Sequence, residues 1–242
     1  MVFHAVIWEG QERLLDGYTR VERIVQDLTD KPDSVILIVH EEVSSLAEVI
    51  ALYDQFNSSS ALKRSSDRYD EGLRLTEMVD NLKSPLVLTG PKSSPKIATN
   101  APNIREGVTK GIEGIRFVDS MGLNKNGETV GLLAAYYAIG TYASFMDEEA
   151  KDFIRKLNQI VFEPKALTTE NQSIMKFREY YKLKLSNKSA TGGGNVIAIR
   201  DKALTCFVQC MGFEHMVSGG FCQLTLGEFI NLMKTAKAGY TT

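Results

Sequence analysis

Val130-Gly131-Leu132-Leu133-Ala134-Ala135-Tyr136-Tyr137-Ala138-Ile139-Gly140-Thr141-Tyr142-Ala143-Ser144-Phe145 runs without a single charge. A helix that is apolar on every side belongs inside a core. This stretch therefore predicts the most buried helix of a helical lobe, and the rest of the lobe is read outward from it. Tyr136, Tyr137 and Tyr142 read first as core packing with satisfied hydroxyls; a base-stacking platform is the alternative.

Downstream, Asp147 is placed to cap a helix over Glu148–Val161, with Phe153, Ile154, Leu157 and either Ile160 or Val161 facing inward. Pro164 ends it. Ile174 to Leu185 predicts a second helix, begun by the Thr169/Gln172 pair, with Ile174, Phe177, Tyr181 and Leu185 on the buried face. Val196–Met211 predicts a third. Thr225 and Glu228 form a capping box, stapled by Leu224 and Phe229, for a helix to about Lys237. Gly239 closes it.

Upstream, Gly107, Gly111 and Gly114 fall at helical spacing and read either as a small-residue helix face or as a broken loop. Four of the six prolines lie at 85, 91, 95 and 102, so 84–103 reads as a connection, with Leu86-Val87-Leu88 a brief strand. In the N-terminal lobe Phe3–Trp8 reads as a short strand or a docking arm. Leu14–Leu28 predicts a helix stopped by Asp30-Lys31-Pro32-Asp33, and Val35–Val39 reads as a buried strand, with a buried helix the alternative that periodicity leaves open. Ser45 and Glu48 cap a helix through Phe56; Leu73–Leu82 predicts another. The expected fold is mainly α with a minor β component: an N-terminal lobe at 1–83, a proline-rich connection at 84–103 and a C-terminal helical lobe at 104–242.

With 242 residues, 43% of them hydrophobic, the chain can bury a real core. Three cysteines cannot all pair internally, which favours a reducing compartment. The N-terminus has neither a basic n-region nor a long apolar h-region, and no run approaches a membrane span. The glycosylation triplets at Asn57, Asn171 and Asn187 are discounted on that basis. The expected location is cytoplasmic, or a virion if the source is viral.

The functional reading centres on Lys176-Phe177-Arg178-Glu179-Tyr180-Tyr181-Lys182-Leu183-Lys184-Leu185 and the glycine-rich stretch after it, Thr191-Gly192-Gly193-Gly194-Asn195. Residues 165–202 hold eight bases and three acids, a net of +5 in a chain of −2; residues 1–56 hold eleven acids and four bases. Lys176, Tyr180 and Lys184 follow at four-residue spacing beside the apolar face, with Arg178 and Lys182 on its other flank. Lysines neutralise phosphates while a phenol stacks on a base, and bare glycine N–H groups hold an anion. Lys188, Gly193, Asn195 and Arg200 complete this candidate site. Lys63, Arg64 and Arg68 form a second phosphate-contacting candidate, and Lys92 and Lys96 a third group, in the connection. Against these stands the plain reading of a solvated basic face and a loop.

Other chemistries find little support. Cys206, Cys210, His215 and Cys222 approach a zinc knuckle, but with looser spacing than usual, and cysteine is commonly buried as a small hydrophobe. No phosphate loop, dinucleotide fingerprint or nucleophile elbow is present. His40, beside Glu41 and Glu42, is the best lone acid–base candidate. No metal or cofactor is expected.

On Lys176–Lys188, Gly192–Asn195 and the possible arms at Phe3–Trp8 and Gly239–Thr242, the chain resembles small RNA-virus nucleoproteins and filamentous coat proteins in size and organisation. The resemblance implies single-stranded RNA in a basic–aromatic groove and a homo-oligomer joined through terminal arms; the sequence itself offers no diagnostic catalytic motif. Two alternatives remain: a cytosolic α/β enzyme acting on a phosphorylated small molecule, and an oligomeric protein-interaction module.

Overall fold

The computed structural model describes residues 1–16, 18–57, 64–78, 81–163, 172–186, 193–216 and 223–240. Lys63, Lys188 and Cys222 lie outside them. The protein is mainly α-helical with one small sheet near its N-terminus, as the sequence predicts. It divides into two compact units, Met1–Arg64 and Ser65–Thr242.

The larger unit is built on helix α8 (Val130–Tyr142), in which every residue from Gly131 to Gly140 is buried. The Thr129 hydroxyl caps it by accepting the Leu132 N–H. Around α8 pack α5 (Ser94–Thr99), α7 (Ile112–Ser120) and α11 (Gly193–Cys210). The α7–α8 crossing is close because glycine sits on both sides of it. A Cβ on Gly114 would run into the Tyr137 carbonyl, and one on Gly140 into the Phe117 side chain. The glycines at helical spacing are thus a small-residue face, divided between α6 (Ile104–Lys110) and α7 by a break at Gly111.

Helix α9 (Asp147–Phe162) carries three acids in its first turn, which suits a helix N-terminus. It buries Phe153 against Phe207 of α11, the rings meeting edge to face at 5.1 Å. Helix α10 (Gln172–Ser186) packs between α9 and α11, burying Ile174, Phe177 and Tyr181. Leu185, expected on that buried face, is 45% exposed near the C-terminal end of the helix. Helix α12 (Leu226–Tyr240) has the predicted capping box: Glu228 N–H donates to the Thr225 hydroxyl, and Thr225 N–H to the Glu228 carboxylate at 2.7 Å.

The proline-rich segment is not a connection. It forms α4 (Pro85–Thr89) and α5, with Leu86, Val87 and Ala98 buried in the core. Pro85 and Pro95 occupy first-turn positions, where a missing N–H costs no helical bond. Hydroxyls fasten both helices: Ser84 donates to the Leu123 carbonyl at 2.9 Å and Ser94 to the Val130 carbonyl at 3.1 Å. The unit boundary consequently falls at Arg64/Ser65 instead of at the prolines. Helix α3 (Ser65–Leu75) carries Arg68, buries Tyr69 and Leu73, and stops before the predicted helix 73–82 is under way.

The smaller unit has a three-stranded sheet in the order β2–β1–β3. Strand β1 (Val2–Trp8) is its middle strand, with Phe3, Ala5 and Val6 buried, so the apolar N-terminus is no arm. Strand β2 (Gln11–Leu14) returns antiparallel through Glu9 and Gly10, both at positive φ, as a two-residue hairpin turn requires. Leu14, expected to begin a helix, ends this strand; helix α1 (Tyr18–Val25) follows. Strand β3 (Ile36–Val43) pairs parallel to β1, from Val2↔Ile36 to Val6↔His40. It is an outer strand, and its apolar run is exposed instead of buried. Helix α2 (Leu46–Asn57) closes the unit, with Glu48 N–H donating to the Ser45 hydroxyl.

Candidate nucleic-acid interface on helix α10

Helix α10 presents Lys176, Arg178, Lys182 and Lys184 on the two flanks of its buried stripe. At about 1.5 Å per residue, Lys176 and Lys184 stand about 12 Å apart along the axis. Among the described residues, no carboxylate pairs with any of these four cations. Several other surface cations of the same unit are paired, while the exposed Arg68, Arg74, Arg155 and Lys234 have no ion pair among the described residues. Lys110 pairs with Glu106, Arg116 with Glu113, Lys151 with Asp147 and Lys156 with Asp152.

Arg178 is half-buried, and its Nε–H is shielded from solvent without an acceptor. An orphaned buried donor costs free energy until something accepts from it. An anion at the α10 flank would supply that acceptor.

The Lys184 ammonium donates to the Asn195 side-chain carbonyl at 3.3 Å and lies 5.5 Å from the Tyr180 ring centroid. Asn195 stands in the first turn of α11, which Gly193 and Gly194 open. A helix start carries partial positive charge and unsatisfied N–H groups. The lysine and the helix start therefore favour the same kind of partner.

Tyr180 is less available than its spacing implies. Its ring is half-buried against the core, and burial together with the nearby Asp201 carboxylate holds its hydroxyl above the usual phenol range. Stacking on a base would require Lys184 to swing off the ring.

Other candidates have structural work. Arg200 is buried and pairs with the equally buried Asp201 at 2.7 Å, while its guanidinium also donates to the Ile97 carbonyl at 2.7 Å. It ties α11 to α5 and faces no solvent. Lys92 is also withdrawn: its ammonium donates to the Val87 and Leu88 carbonyls that end α4 and lies 4.3 Å from the Tyr69 ring centroid. Burial lowers its pKa. Lys96 is half-buried on α5, and Arg68 is exposed on α3. Arg64 ends the smaller unit, and Lys63 beside it is outside the described residues.

No group of three metal-ligating side chains occurs among the described residues. Cys206 and Cys210 are successive turns of α11, the first buried and the second exposed. His40 faces His4 across the β1–β3 ladder, Nδ1 of His4 lying 3.2 Å from Nε2 of His40, with the rings stacked at 5.4 Å. That contact was not foreseen in the sequence, since it depends on the parallel register. No helix among the described residues is long and apolar enough to cross a membrane. No protein-family model, curated protein or solved structure matches this chain.

Proposed function

We propose that the protein binds single-stranded RNA through the basic flanks of α10 and the adjoining start of α11, and that it self-associates as a coat or nucleoprotein does. The observation that supports this reading is the set of α10 cations. Four bases on one helix have no carboxylate partner among the described residues, whereas Lys110, Arg116, Lys151 and Lys156 of the same unit each have one. A polyanion is the partner that such an arrangement suits. Phosphate neutralisation by Lys176, Lys182, Lys184 and Arg178 carries the affinity; Tyr180 buttresses Lys184. Recognition of this kind reads the backbone and is tolerant of sequence.

The test is nucleic-acid retention by the purified protein, followed as the ratio of absorbance at 260 and 280 nm. Wild type is expected to carry RNA that nuclease and high salt remove. Lys176→Glu with Lys184→Glu is expected to purify without it and to keep the wild-type circular dichroism spectrum. Undiminished retention by that folded variant would contradict the reading.

A further inference from the structure

Strand β3 leaves open an apolar run of a kind that folded chains ordinarily cover. Val35, Ile36, Leu37, Ile38 and Val39 are each between 40% and 57% exposed. Outer strands are usually blunted by a lysine, a proline or a bulge, because a bare edge is a template for another strand. Residues 35–39 carry none of these; the pairing irregularity comes only after His40. A continuous exposed apolar patch of this kind marks an interaction surface.

The ladder determines which backbone groups face outward. The Ile36 N–H donates to the Met1 carbonyl at 2.8 Å, and β3 runs parallel to β1. In a parallel ladder alternate residues turn both N–H and C=O toward the same neighbour. Ile36, Ile38 and His40 therefore face β1, while Leu37 and Val39 direct their N–H and C=O to the open side.

We propose that this edge pairs with the β3 edge of a second copy, antiparallel about a twofold axis through Ile38. In that register Leu37 of one copy faces Val39 of the other. The two residues with outward backbone groups then meet each other, and each pair exchanges two N–H···O bonds. Ile38 meets Ile38 at the axis, and Ile36 meets His40. No charged residue enters the paired segment 36–40, so an identical strand meets no like charge there. A closed twofold needs such self-complementarity, and a strand whose outward positions pair with themselves fulfils it.

Two physical consequences follow. The strand pairing is smaller than the roughly 800 Å² per partner of a standard interface, so the dimer is concentration-dependent. Residues 1–64 carry eleven acids and six bases, a net of −5. Two such units repel each other unless salt screens them, which it does beyond about 8 Å at physiological ionic strength. Dimerisation therefore strengthens with salt, whereas RNA binding weakens. This proposal names the surface for the self-association half of the function above, and the opposite salt responses separate its failure from that of the RNA reading.

The test uses full-length, nuclease-treated protein in sedimentation equilibrium from low to high micromolar concentration. Wild type is expected to show a monomer–dimer equilibrium that shifts toward dimer as salt rises. Ile38→Lys, which sets two ammonium groups face to face at an already exposed position, is expected to stay monomeric. Ile38→Cys supplies a readout that does not depend on loss of anything. Its thiols would meet across a non-hydrogen-bonded pair, with Cα atoms about 4.5 Å apart. Air oxidation is expected to give a covalent dimer joined at residue 38, seen by peptide mass spectrometry and missing from oxidised wild type. Ile36→Cys is expected to give none, because its copies lie about 14 Å apart along the strands. A wild type that is monomeric throughout would overturn the proposal, whether another part of the chain or a different protein covers the strand. So would a dimer that Ile38→Lys leaves intact. A monomeric wild type whose untreated preparation carries RNA would end this proposal alone.

Discussion

Arg200 and Lys176 belong to the same basic segment of the sequence and to opposite environments. Lys176 is exposed without a carboxylate partner among the described residues; Arg200 is buried with Asp201 and the Ile97 carbonyl. Nothing in composition separates the two, because burial of an arginine depends on which neighbour supplies an anion and a carbonyl. Removing one member of a buried pair leaves the other charge uncompensated and costs about 3–5 kcal/mol. Arg200→Ala is accordingly expected to lower stability by about that much in urea denaturation, with RNA retention per folded molecule unchanged. Lost retention at unchanged stability would return Arg200 to the binding site.

Glu128 is another buried acid among the described residues, and its ionisation bears on stability. Its Oε2 accepts the Asn126 N–H at 2.8 Å, while Oε1 is buried without a hydrogen bond. Burial raises its pKa above the ordinary carboxyl value, and the hydrogen bonds around it offset this only in part. The folded protein therefore holds this proton more tightly than the unfolded chain does. The stabilisation is full below the ordinary carboxyl pKa, about 4.3, and is lost as pH rises through the raised value. Glu128→Gln carries no such loss. Its denaturation midpoint is expected to match wild type near pH 4 and to exceed it increasingly toward neutrality; parallel pH profiles would refute this.

Among the elements, the helices that were legible are those whose signals are local. Thr225 and Glu228 announce α12, and the uncharged run from Val130 announces α8. Misreadings arose where tertiary context decided. Prolines at 85 and 95 look like linker punctuation until they are placed in first turns. Ser65 and Ser66 look like a loop until Tyr69 and Leu73 find a core to enter. The hairpin turn at Glu9-Gly10 had a usable signal, a glycine between two alternating runs, which the helical spacing of Leu14 and Tyr18 masked. The α7–α8 crossing gives the sharpest element-scale expectation. Gly114→Ala places a methyl group against the Tyr137 carbonyl and Thr141 hydroxyl, so α7 must move off α8. Overpacking of this kind costs about 1–3 kcal/mol. A fall of that size in thermal or chemical stability is expected; an unchanged midpoint would mean that the helices are not so closely apposed.

Across the whole molecule, charge is divided by unit. Residues 1–64 carry −5 and residues 65–242 carry +3, which a chain total of −2 conceals. That asymmetry was fully legible in the sequence; the pairing state of each cation was not, because an ion pair is a property of positions in space. The acidic unit has an open apolar strand at the edge of its sheet, and the basic unit holds the cationic helix. One suits pairing with a like surface at high salt, the other a polyanion at low salt. The account's central claim is therefore a salt response. The most direct measurement is the affinity of nuclease-treated protein for a labelled single-stranded RNA across a salt series, wild type beside Lys176→Glu with Lys184→Glu. Log affinity is expected to fall linearly with log salt, and the variant is expected to lose about 0.7 of that slope for each abolished phosphate contact. Binding that ignores salt, or a variant with the wild-type slope and affinity, would contradict the claim.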